Sequence, residues 1–313
     1  KESFQAALDT SYEGFAVDEN VVDETKIRAS LQSIQQHFCY DVTQPFGLGT
    51  KCAKTFVTRC LAGDPGTTYK YLGLRMFCFP WPDEIAELKE TLTQRTSHLL
   101  TDLEEKRKAR GNPGTKGRAK FDICLINCMT GHDHLKPDAD SNLRTTVSWH
   151  ADSTLEHYST IAVYQTIMGG TEDWSVALRV APFAEGPQQQ RSIEVKVDAP
   201  PIAVSLPTNS AYYLLDDFNH HHQHTVLTSP NNTTSQRYSL TFRLLREGHT
   251  VHQLLERCQR AVSNFHKKGS RVYKNEQSLL TELENEWLRQ FYIQGKRHRD
   301  LLWPAWGENM IKL

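Results

Sequence analysis

The sequence predicts an α+β protein in which a sandwich or jelly roll of short strands is flanked by helices. Nine short runs rich in β-branched and aromatic residues, separated by Gly, Pro and Asn, fill the stretch from Phe121 to Arg246. Apolar residues recur instead at three- and four-residue steps from Asp83 to Arg110 and again after Gly248, which is typical of amphipathic helices. This order argues against an alternating βαβ sheet.

The elements follow from these patterns in chain order. The first helix begins behind Pro82 and ends near Gly111. The β-rich runs are FDICLIN, TVSWHAD, TIAVYQTIM, WSVALRV, SIEVKV, IAVSLP, AYYLLDD, HTVLT and RYSLTFRLL. Two further helices are predicted between Val251 and Phe265 and between Leu279 and Phe291. We therefore expect a β domain with N-terminal and flanking helices over residues 1–246, and a helical region over residues 247–313.

Composition narrows the classes of function. No apolar run approaches the roughly 20 residues that span a bilayer. Seven cysteines without a CxxC pair argue against a disulfide framework and a structural zinc site, so a reducing compartment is expected. We also expect a monomer. With a net charge of −1, any nucleic-acid partner must be bound by local basic stretches. The candidates are Lys106, Arg107, Lys108, Arg110, Lys116, Arg118 and Lys120, and a second run at Lys296, Arg297, His298 and Arg299.

A metal site is indicated by His150 and Asp152. Two residues apart in an expected strand, their side chains project from the same face. A third histidine from a later strand would complete a two-histidine, one-carboxylate set that leaves open positions on Fe(II). His220, His221, His222 and His224 are the candidates, and His222 and His224 share strand parity, so spacing does not choose between them. Alone the motif is weak, because a carboxylate often only orients a nearby histidine.

An anion site is indicated by the strand RYSLTFR over residues 237–243. Arg237, Ser239, Thr241 and Arg243 point to one side, while Tyr238, Leu240 and Phe242 point to the other. Interior arginines are costly without an anion, and a guanidinium binds a carboxylate through two hydrogen bonds. The alternative is an exposed edge strand with solvated arginines.

Together these residues resemble the AlkB-type nucleic-acid demethylases, which use iron(II) and 2-oxoglutarate on a double-stranded β-helix, a jelly roll. Longer blocks at 63–82, 125–127, 147–152, 212–227, 237–243 and 286–297 extend the resemblance to the branch that demethylates N6-methyladenine in RNA. It covers about residues 50 to 300, and the C-terminal helical region is shorter than that of the family.

The resemblance implies a role for each matching residue. His150, Asp152 and His224 would bind iron. Arg237 would bind the distal carboxylate of 2-oxoglutarate, helped by Asn127, Tyr212 and Ser239, with Arg243 between cofactor and base. Arg59 would read the polar edge of the methylated base. Tyr69, Tyr71 and Leu72 would form a base-stacking wall facing Val147 and Trp149.

The implied activity is oxidative N-demethylation of single-stranded RNA or DNA in the nucleus and cytoplasm, consuming O₂ and releasing formaldehyde, succinate and CO₂. Two departures leave the preferred base open between N6-methyladenine and an N3-methylated uracil or thymine. Ser153 stands where the family has an acidic residue, and Ala151 replaces the usual histidine. A protein or small-molecule hydroxylase on the same fold, and an inactive RNA-binding homologue, are the competing hypotheses.

Overall fold

The computed structural model describes residues 11–40, 57–64, 67–71, 74–130, 149–170, 174–181, 199–228, 235–247, 256, 260 and 263. The predicted strand SIEVKV, the second C-terminal helix and the basic run at 296–299 lie outside these residues. Of the first C-terminal helix, Glu256, Arg260 and Ser263 are described, and all three are helical.

The described chain alternates between short strands and a few helices. The strands are β1 (Phe15–Glu19), β2 (Cys39–Tyr40), β3 (Val57–Gly63), β4 (Thr68–Tyr71), β5 (Leu74–Phe77), β6 (Ile123–Thr130), β7 (Ile161–Met168), β8 (Trp174–Val180), β9 (Ile202–Leu206), β10 (Ser210–Leu214), β11 (His222–Thr228) and β12 (Gln236–Arg243). The helices are α1 (Glu24–Ser33), α2 (Asp83–Ala109) and α3 (Phe218–His221), with a 3₁₀ turn at Gln35–His37. None of the described helices is both long and apolar enough to cross a membrane.

Two facing sheets form the core of the fold. The major sheet has the order β1-β10-β7-β12-β6-β3-β2, and the minor sheet has the order β11-β8-β9. After β7 the chain crosses to β8 and β9 in the minor sheet, returns to β10, crosses again to β11 and returns to β12. This alternation between two antiparallel sheets is a jelly-roll winding. The predicted fold class is confirmed.

The two faces of the major sheet have different partners. Tyr164, Leu240 and Phe242 pack on one face against Leu88 and Leu92 of α2. The opposite face meets the minor sheet through a second apolar cluster, which includes Val163, Leu125 and Tyr212 of the major sheet and Val176, Leu178, Ile202 and Leu206 of the minor sheet. The side chains that alternate with Leu240 and Phe242 on β12 therefore point between the sheets. This is where the predicted arginine face lies.

Helix α2 also carries a buried ion-pair network. Arg107 is fully buried, and its guanidinium donates to Glu13 at 3.2 Å, Asp216 at 2.5 Å and Asp217 at 2.8 Å. Arg110 reaches the second oxygen of Glu13 at 2.7 Å. The prediction that Arg107 is a candidate contact for a nucleic-acid partner is wrong, because Arg107 is buried and bound to carboxylates, whereas Arg110 is exposed and paired with Glu13. The surrounding carboxylates offset the cost of burying the charge of Arg107.

Replacing Arg107 by methionine is expected to lower the free energy of unfolding by about 3–5 kcal/mol, because three carboxylates lose their buried cation. Replacing Arg110 by alanine should cost less than about 1 kcal/mol, since an exposed ion pair contributes little. Urea unfolding of both variants measures the difference. Equal losses would show that the buried ion pairs of Arg107 contribute no more to stability than the exposed ion pair of Arg110.

Asp122 at the start of β6 makes stability depend on pH. Burial raises its pKa to about 6, partly opposed by hydrogen bonds from the backbone N–H groups of Leu245 and of Asp122 itself, while the charge of Asp64 raises it further. The unfolded-state pKa is about 3.9. The folded state therefore prefers the protonated acid, and its contribution is complete below about pH 4. It is lost as pH rises through about 6, by at most about 3 kcal/mol. Asp122→Asn, which keeps an acceptor for Leu245, should flatten this part of the stability profile in urea titrations.

Candidate active site

His150 and His224 are brought together by a short antiparallel bridge. The backbone N–H of His150 donates to the His224 carbonyl at 3.1 Å, and the His224 N–H donates to the His150 carbonyl at 2.9 Å. Their ring centroids are 4.3 Å apart. Asp152 lies next to them, with Oδ1 at 3.6 Å from His150 Nε2. One ligand atom from each of the three residues falls within 4.8 Å of the others, and His224 and the Asp152 carboxylate are buried. The trio can converge on one metal ion.

The local backbone differs from the predicted strand. Only His150 forms a bridge, and Ala151 and Asp152 belong to no strand. The reason is Asn219 in α3, whose side chain accepts the Asp152 N–H at 3.0 Å and donates to the Asp152 carbonyl at 2.9 Å. These are the backbone groups that a partner strand would otherwise bind. Asn219 thus fixes the Asp152 backbone, and its place in a polar, histidine-rich run was the one feature of the sequence that pointed to it.

The Asp152 carboxylate is bound by Arg243. The Nε and Nη2 atoms of Arg243 lie 2.8 and 2.7 Å from Asp152 Oδ2, and both side chains are almost fully buried. Burial opposes ionisation of this carboxyl, but the charge of Arg243 keeps its pKa below the usual value. The Arg243 guanidinium also lies 5.2 Å from the centre of the Tyr69 ring. Arg243 therefore sits between the metal-binding group and Tyr69, and Asp152 is ionised and ready to bind a cation.

The structure distinguishes His222 from His224 as the candidate third ligand, which their spacing in the sequence could not do. His222 stacks on Phe218 at 3.9 Å, and its two ring nitrogens lie 3.0 Å from the Phe218 carbonyl and 2.7 Å from the Ser11 carbonyl. It packs away from the bridge. Burial, and then the charge of His150, lower the pKa of His224 to about 3. His224 is therefore a neutral imidazole, which is the form that binds a metal.

Arg237 is fully buried between the sheets and lacks an acidic partner in the described part of the chain. Its Nε donates to Gln165 Oε1 at 2.6 Å, and its Nη1 contacts Met129 Sδ at 3.4 Å. Among the described residues no group accepts a hydrogen bond from Nη2. Burial lowers the pKa of Arg237 to about 10, so the guanidinium is charged at neutral pH. A buried cation with an unsatisfied donor fits a carboxylate ligand.

A row of hydrogen-bonded polar side chains crosses the major sheet on the face that carries Arg237. Arg59, Asn127 and Ser239 are direct neighbours on β3, β6 and β12. Arg59 Nε donates to Asn127 Oδ1 at 3.0 Å, and Asn127 Nδ2 donates to Ser239 Oγ at 3.3 Å. Arg59, predicted to read a base, is thus joined to the residues predicted to hold 2-oxoglutarate. Burial raises the pKa of Tyr212 to about 12, and Tyr212 is close enough to Arg237 for their charges to interact.

The predicted base-stacking wall is only partly described. Tyr69 is buried, and its hydroxyl donates to the Ser153 carbonyl at 3.4 Å. Trp149 instead stacks on the Arg179 guanidinium at 4.5 Å, and Arg179 donates twice to Gln223. Arg179 and Gln223 pair on the face of the minor sheet opposite to His224, so the Trp149 ring does not face Tyr69. Leu72, Val147 and the side chain of Tyr71 lie outside the described residues.

Comparison with known proteins decides the family. The model of the FTO catalytic domain matches residues 2–105 and 85–246, which together cover most of the chain. The chain belongs to the FTO family. The model of the FTO C-terminal domain matches residues 240–313. These matches bear out the resemblance seen in the sequence.

Two individual proteins share 28% and 14% sequence identity with this chain. The "Alpha-ketoglutarate-dependent dioxygenase FTO" of Xenopus laevis is 28% identical over 324 residues, covering 83% of this chain and 61% of that protein. The chain therefore spans about three fifths of this FTO relative's length. The solved structure of OsALKBH1 is 14% identical, with a TM-score of 0.45, covering 74% of this chain and 97% of that one.

The cofactors of the FTO family agree with the residues present. FTO-family dioxygenases use Fe(II) and 2-oxoglutarate, as the sequence predicted, and the donor set fits both. One carboxylate and two imidazoles are ligands that suit ferrous iron. The unsatisfied Nη2 of Arg237 fits an organic dicarboxylate. The assignment of individual residues to these roles stays a prediction.

Proposed function

We propose that this FTO-family chain is an Fe(II)- and 2-oxoglutarate-dependent demethylase of N-methylated bases in single-stranded RNA. One observation carries the proposal: the trio of His150, Asp152 and the buried His224 lies in the same inter-sheet space as Arg237, a buried cation without an acidic partner among the described residues. A metal and an organic dicarboxylate are the two ligands that such a pair of sites needs.

The roles of the residues follow from their contacts. His150, Asp152 and His224 would hold iron through three ligand atoms, leaving its other positions open to 2-oxoglutarate and O₂. The bound iron and 2-oxoglutarate supply the oxidation of the methyl group, with 2-oxoglutarate converted to succinate and CO₂. Asn219 binds the Asp152 backbone, and Arg243 binds the carboxylate oxygen Oδ2 of Asp152. Both restrict the direction in which Asp152 presents its charge.

Recognition of a base is supported by Tyr69 beside the metal-binding group. Its ring lies under the Arg243 guanidinium, and its hydroxyl reaches the backbone of Ser153. An aromatic ring next to an arginine suits an unstacked base, because stacking contributes about 1–3 kcal/mol per base. Ser153 is exposed and uncharged, so we propose that base selection relies on Arg59 and Arg243 rather than on a carboxylate at that position.

A basic-aromatic patch supports contact with a nucleic-acid backbone. It consists of Lys116, Tyr158, His220, His157 and Arg246. Lys116 Nζ lies 4.8 Å from the Tyr158 ring centre, Tyr158 contacts His220 at 5.4 Å, and His220 stacks on His157 at 5.6 Å. The chain of contacts ends where Arg246 Nη2 lies 3.4 Å from His157 Nε2.

The patch has two features of a binding surface. Lys116 and Arg246 are exposed and form no ion pair with any carboxylate of the described residues. Tyr158 has a φ of 59°, a left-handed conformation that costs energy in a non-glycine residue and is often found at functional sites. His220 directly follows Asn219, which binds the Asp152 backbone, so the patch begins beside the candidate metal site.

The decisive experiment for the proposed function is mass spectrometry of nucleosides. RNA and DNA oligonucleotides carrying N6-methyladenine, N3-methyluracil or N3-methylthymine are incubated with the protein, Fe(II), ascorbate and 2-oxoglutarate. We expect loss of methyl groups from single strands with equimolar formaldehyde and succinate. Hydroxylation of a peptide or small molecule without any demethylation would favour a hydroxylase. RNA binding without succinate formation, even uncoupled, would identify an inactive homologue.

The patch predicts a measurable change in salt dependence. Affinity for a single-stranded RNA falls as salt rises, with a logarithmic slope of about −0.7 per neutralised phosphate. Replacing both Lys116 and Arg246 by alanine should make that slope shallower by about 1.4 in fluorescence-anisotropy titrations. Lys108→Ala is the matched control, because Lys108 is exposed but paired with Glu104 at 2.6 Å. An unchanged slope in the double variant would remove the patch from the RNA-binding surface.

A further inference from the structure

Gln165 is an uncharged amide buried in an apolar strand. It lies at the centre of β7 and is fully buried. Tyr164 packs on the α2 side of the major sheet, so Gln165 points between the sheets, on the same side as Val163 and Ile167. Its neighbour across β12 is Ser239, and Arg237 is the next residue of β12 on that face. The amide therefore lies against the buried guanidinium.

The hydrogen bonds of Gln165 fix the orientation of its amide. Its Nε2 donates to the backbone carbonyls of Leu206 and Pro207, the latter at 2.8 Å. Because carbonyls only accept, the nitrogen must face the turn between β9 and β10, and Oε1 must face Arg237. Oε1 accepts from Arg237 Nε at 2.6 Å. The backbone of this turn thus determines which atom meets the arginine.

The hydrogen bond from Arg237 Nε to Gln165 determines which edge of the guanidinium is available to bind a ligand. A guanidinium can bind a carboxylate through its Nε and one Nη, or through both Nη atoms. Gln165 occupies Nε, so the end bearing the two Nη atoms is presented. Nη1 touches only the weak acceptor Met129 Sδ, and Nη2 has no acceptor among the described residues.

Trp174 is a second buried donor next to the Arg237 guanidinium. It is fully buried, and its ring centre lies 5.5 Å from Arg237 Cζ. Its indole Nε1–H also lacks an acceptor within the described part of the chain. Trp174 packs with Met129, Ile167, Val57 and Val226, which are all apolar. Two buried donors without acceptors at one place indicate a ligand that only accepts.

We propose that Gln165 is the positioning residue for Arg237, and that Trp174 Nε1 is a second donor to the distal carboxylate of 2-oxoglutarate. This inference rests on the proposed function. Gln165 supplies an uncharged acceptor. It therefore orients the Arg237 guanidinium without neutralising its positive charge. A glutamate at this position would form a buried ion pair with Arg237 and compete with the ligand.

The test is the substitution Gln165→Glu, with binding measured in the presence of redox-inert Mn(II). Titration calorimetry compares 2-oxoglutarate with 2-oxopentanoate, which has the same chain length but a methyl group in place of the distal carboxylate. We expect the wild type to prefer 2-oxoglutarate and Gln165→Glu to lose about 10- to 100-fold of that preference, the equivalent of a charge-assisted hydrogen bond. The melting temperature of the apoprotein should hold or rise, which separates this loss from misfolding.

Two further variants make the result specific. Tyr164→Phe is the control, because Tyr164 neighbours Gln165 but faces α2 and binds Asn209 at 3.1 Å. It should leave the preference unchanged. Trp174→Phe should lower 2-oxoglutarate affinity about 2- to 10-fold while 2-oxopentanoate binds as before, since only one neutral donor is removed.

The outcomes separate the two proposals. A wild type that does not discriminate between the two acids would overturn the assignment of Arg237 to 2-oxoglutarate, and with it the proposed function. A wild type that discriminates while Gln165→Glu and Trp174→Phe discriminate equally well would overturn the inference about Gln165 and Trp174 alone.

Discussion

Replacing Asp152 by alanine is expected to abolish demethylation and metal binding together. The carboxylate is the only anionic group of the described trio, so its removal takes away both a ligand atom and the charge that attracts a cation. Loss of residues that merely orient ligands costs about 10- to 100-fold in metal affinity, and loss of the ligand itself should exceed this. Mn(II) titration followed by electron paramagnetic resonance measures the metal affinity, and formaldehyde release measures turnover.

The same substitution should also lower stability. Arg243 is 4% exposed and would lose the carboxylate that it binds at 2.7 Å. Removing one partner of a buried ion pair costs about 3–5 kcal/mol. The Asp152→Asn variant retains the shape of the side chain and an oxygen acceptor for Arg243, so it should lose the metal with a smaller loss of stability. Full activity in either variant would contradict the assignment of this site.

His224 and His222 provide a matched pair for the same site. His224→Gln should prevent metal binding, because the ring beside His150 supplies one of the three ligand atoms. His222→Gln should leave Mn(II) affinity intact, because His222 lies against Phe218 and Ser11 instead. The reverse result would move the third ligand to His222 and would require a different arrangement of the start of β11.

Replacing Arg237 by methionine is expected to change ligand affinity and stability in different directions. Affinity for 2-oxoglutarate should fall by about 100-fold or more, because the carboxylate would lose its charged partner. The free energy of unfolding of the apoprotein should hold within about 2 kcal/mol or rise, since an uncompensated buried guanidinium is costly and an apolar side chain of similar volume often replaces it without loss. The described contacts of its guanidinium, with Gln165, Met129 and the Trp174 ring, include no charged partner.

Titration calorimetry and urea unfolding on the same preparations test this prediction. A large loss of stability together with the loss of 2-oxoglutarate binding would indicate that Arg237 is mainly structural. Wild-type 2-oxoglutarate affinity in Arg237→Met would exclude this residue as the carboxylate partner. Tyr164→Phe again serves as the control for a neighbouring buried polar group on the opposite face of the sheet.

Local periodicity predicted much of the fold. Helix α2 was predicted from Asp83 to Arg110 and is found at Asp83–Ala109, and the alternation of β12 correctly separated Arg237 and Ser239 from Leu240 and Phe242. Such elements depend on residues close in sequence, whose side-chain directions are set by the period of a helix or strand. The family could also be predicted from the sequence, because its motifs occupy short continuous blocks.

The amino-acid sequence by itself predicted the jelly roll and the candidate ligand types, and it indicated an anion site near Arg237. Spacing left His222 and His224 equivalent, the family resemblance implied His224, and the tertiary structure places the His224 ring beside His150. Only the tertiary structure decided that Arg107 is buried and that Asn219 and Gln165 fix Asp152 and Arg237. The hydrogen bonds of Asn219 with Asp152, of Gln165 with Arg237, and of Arg107 with Asp216 and Asp217 join residues 67 to 110 positions apart. Sequence periodicity gives the direction of a side chain within its own element, whereas its partner is set by how distant elements pack.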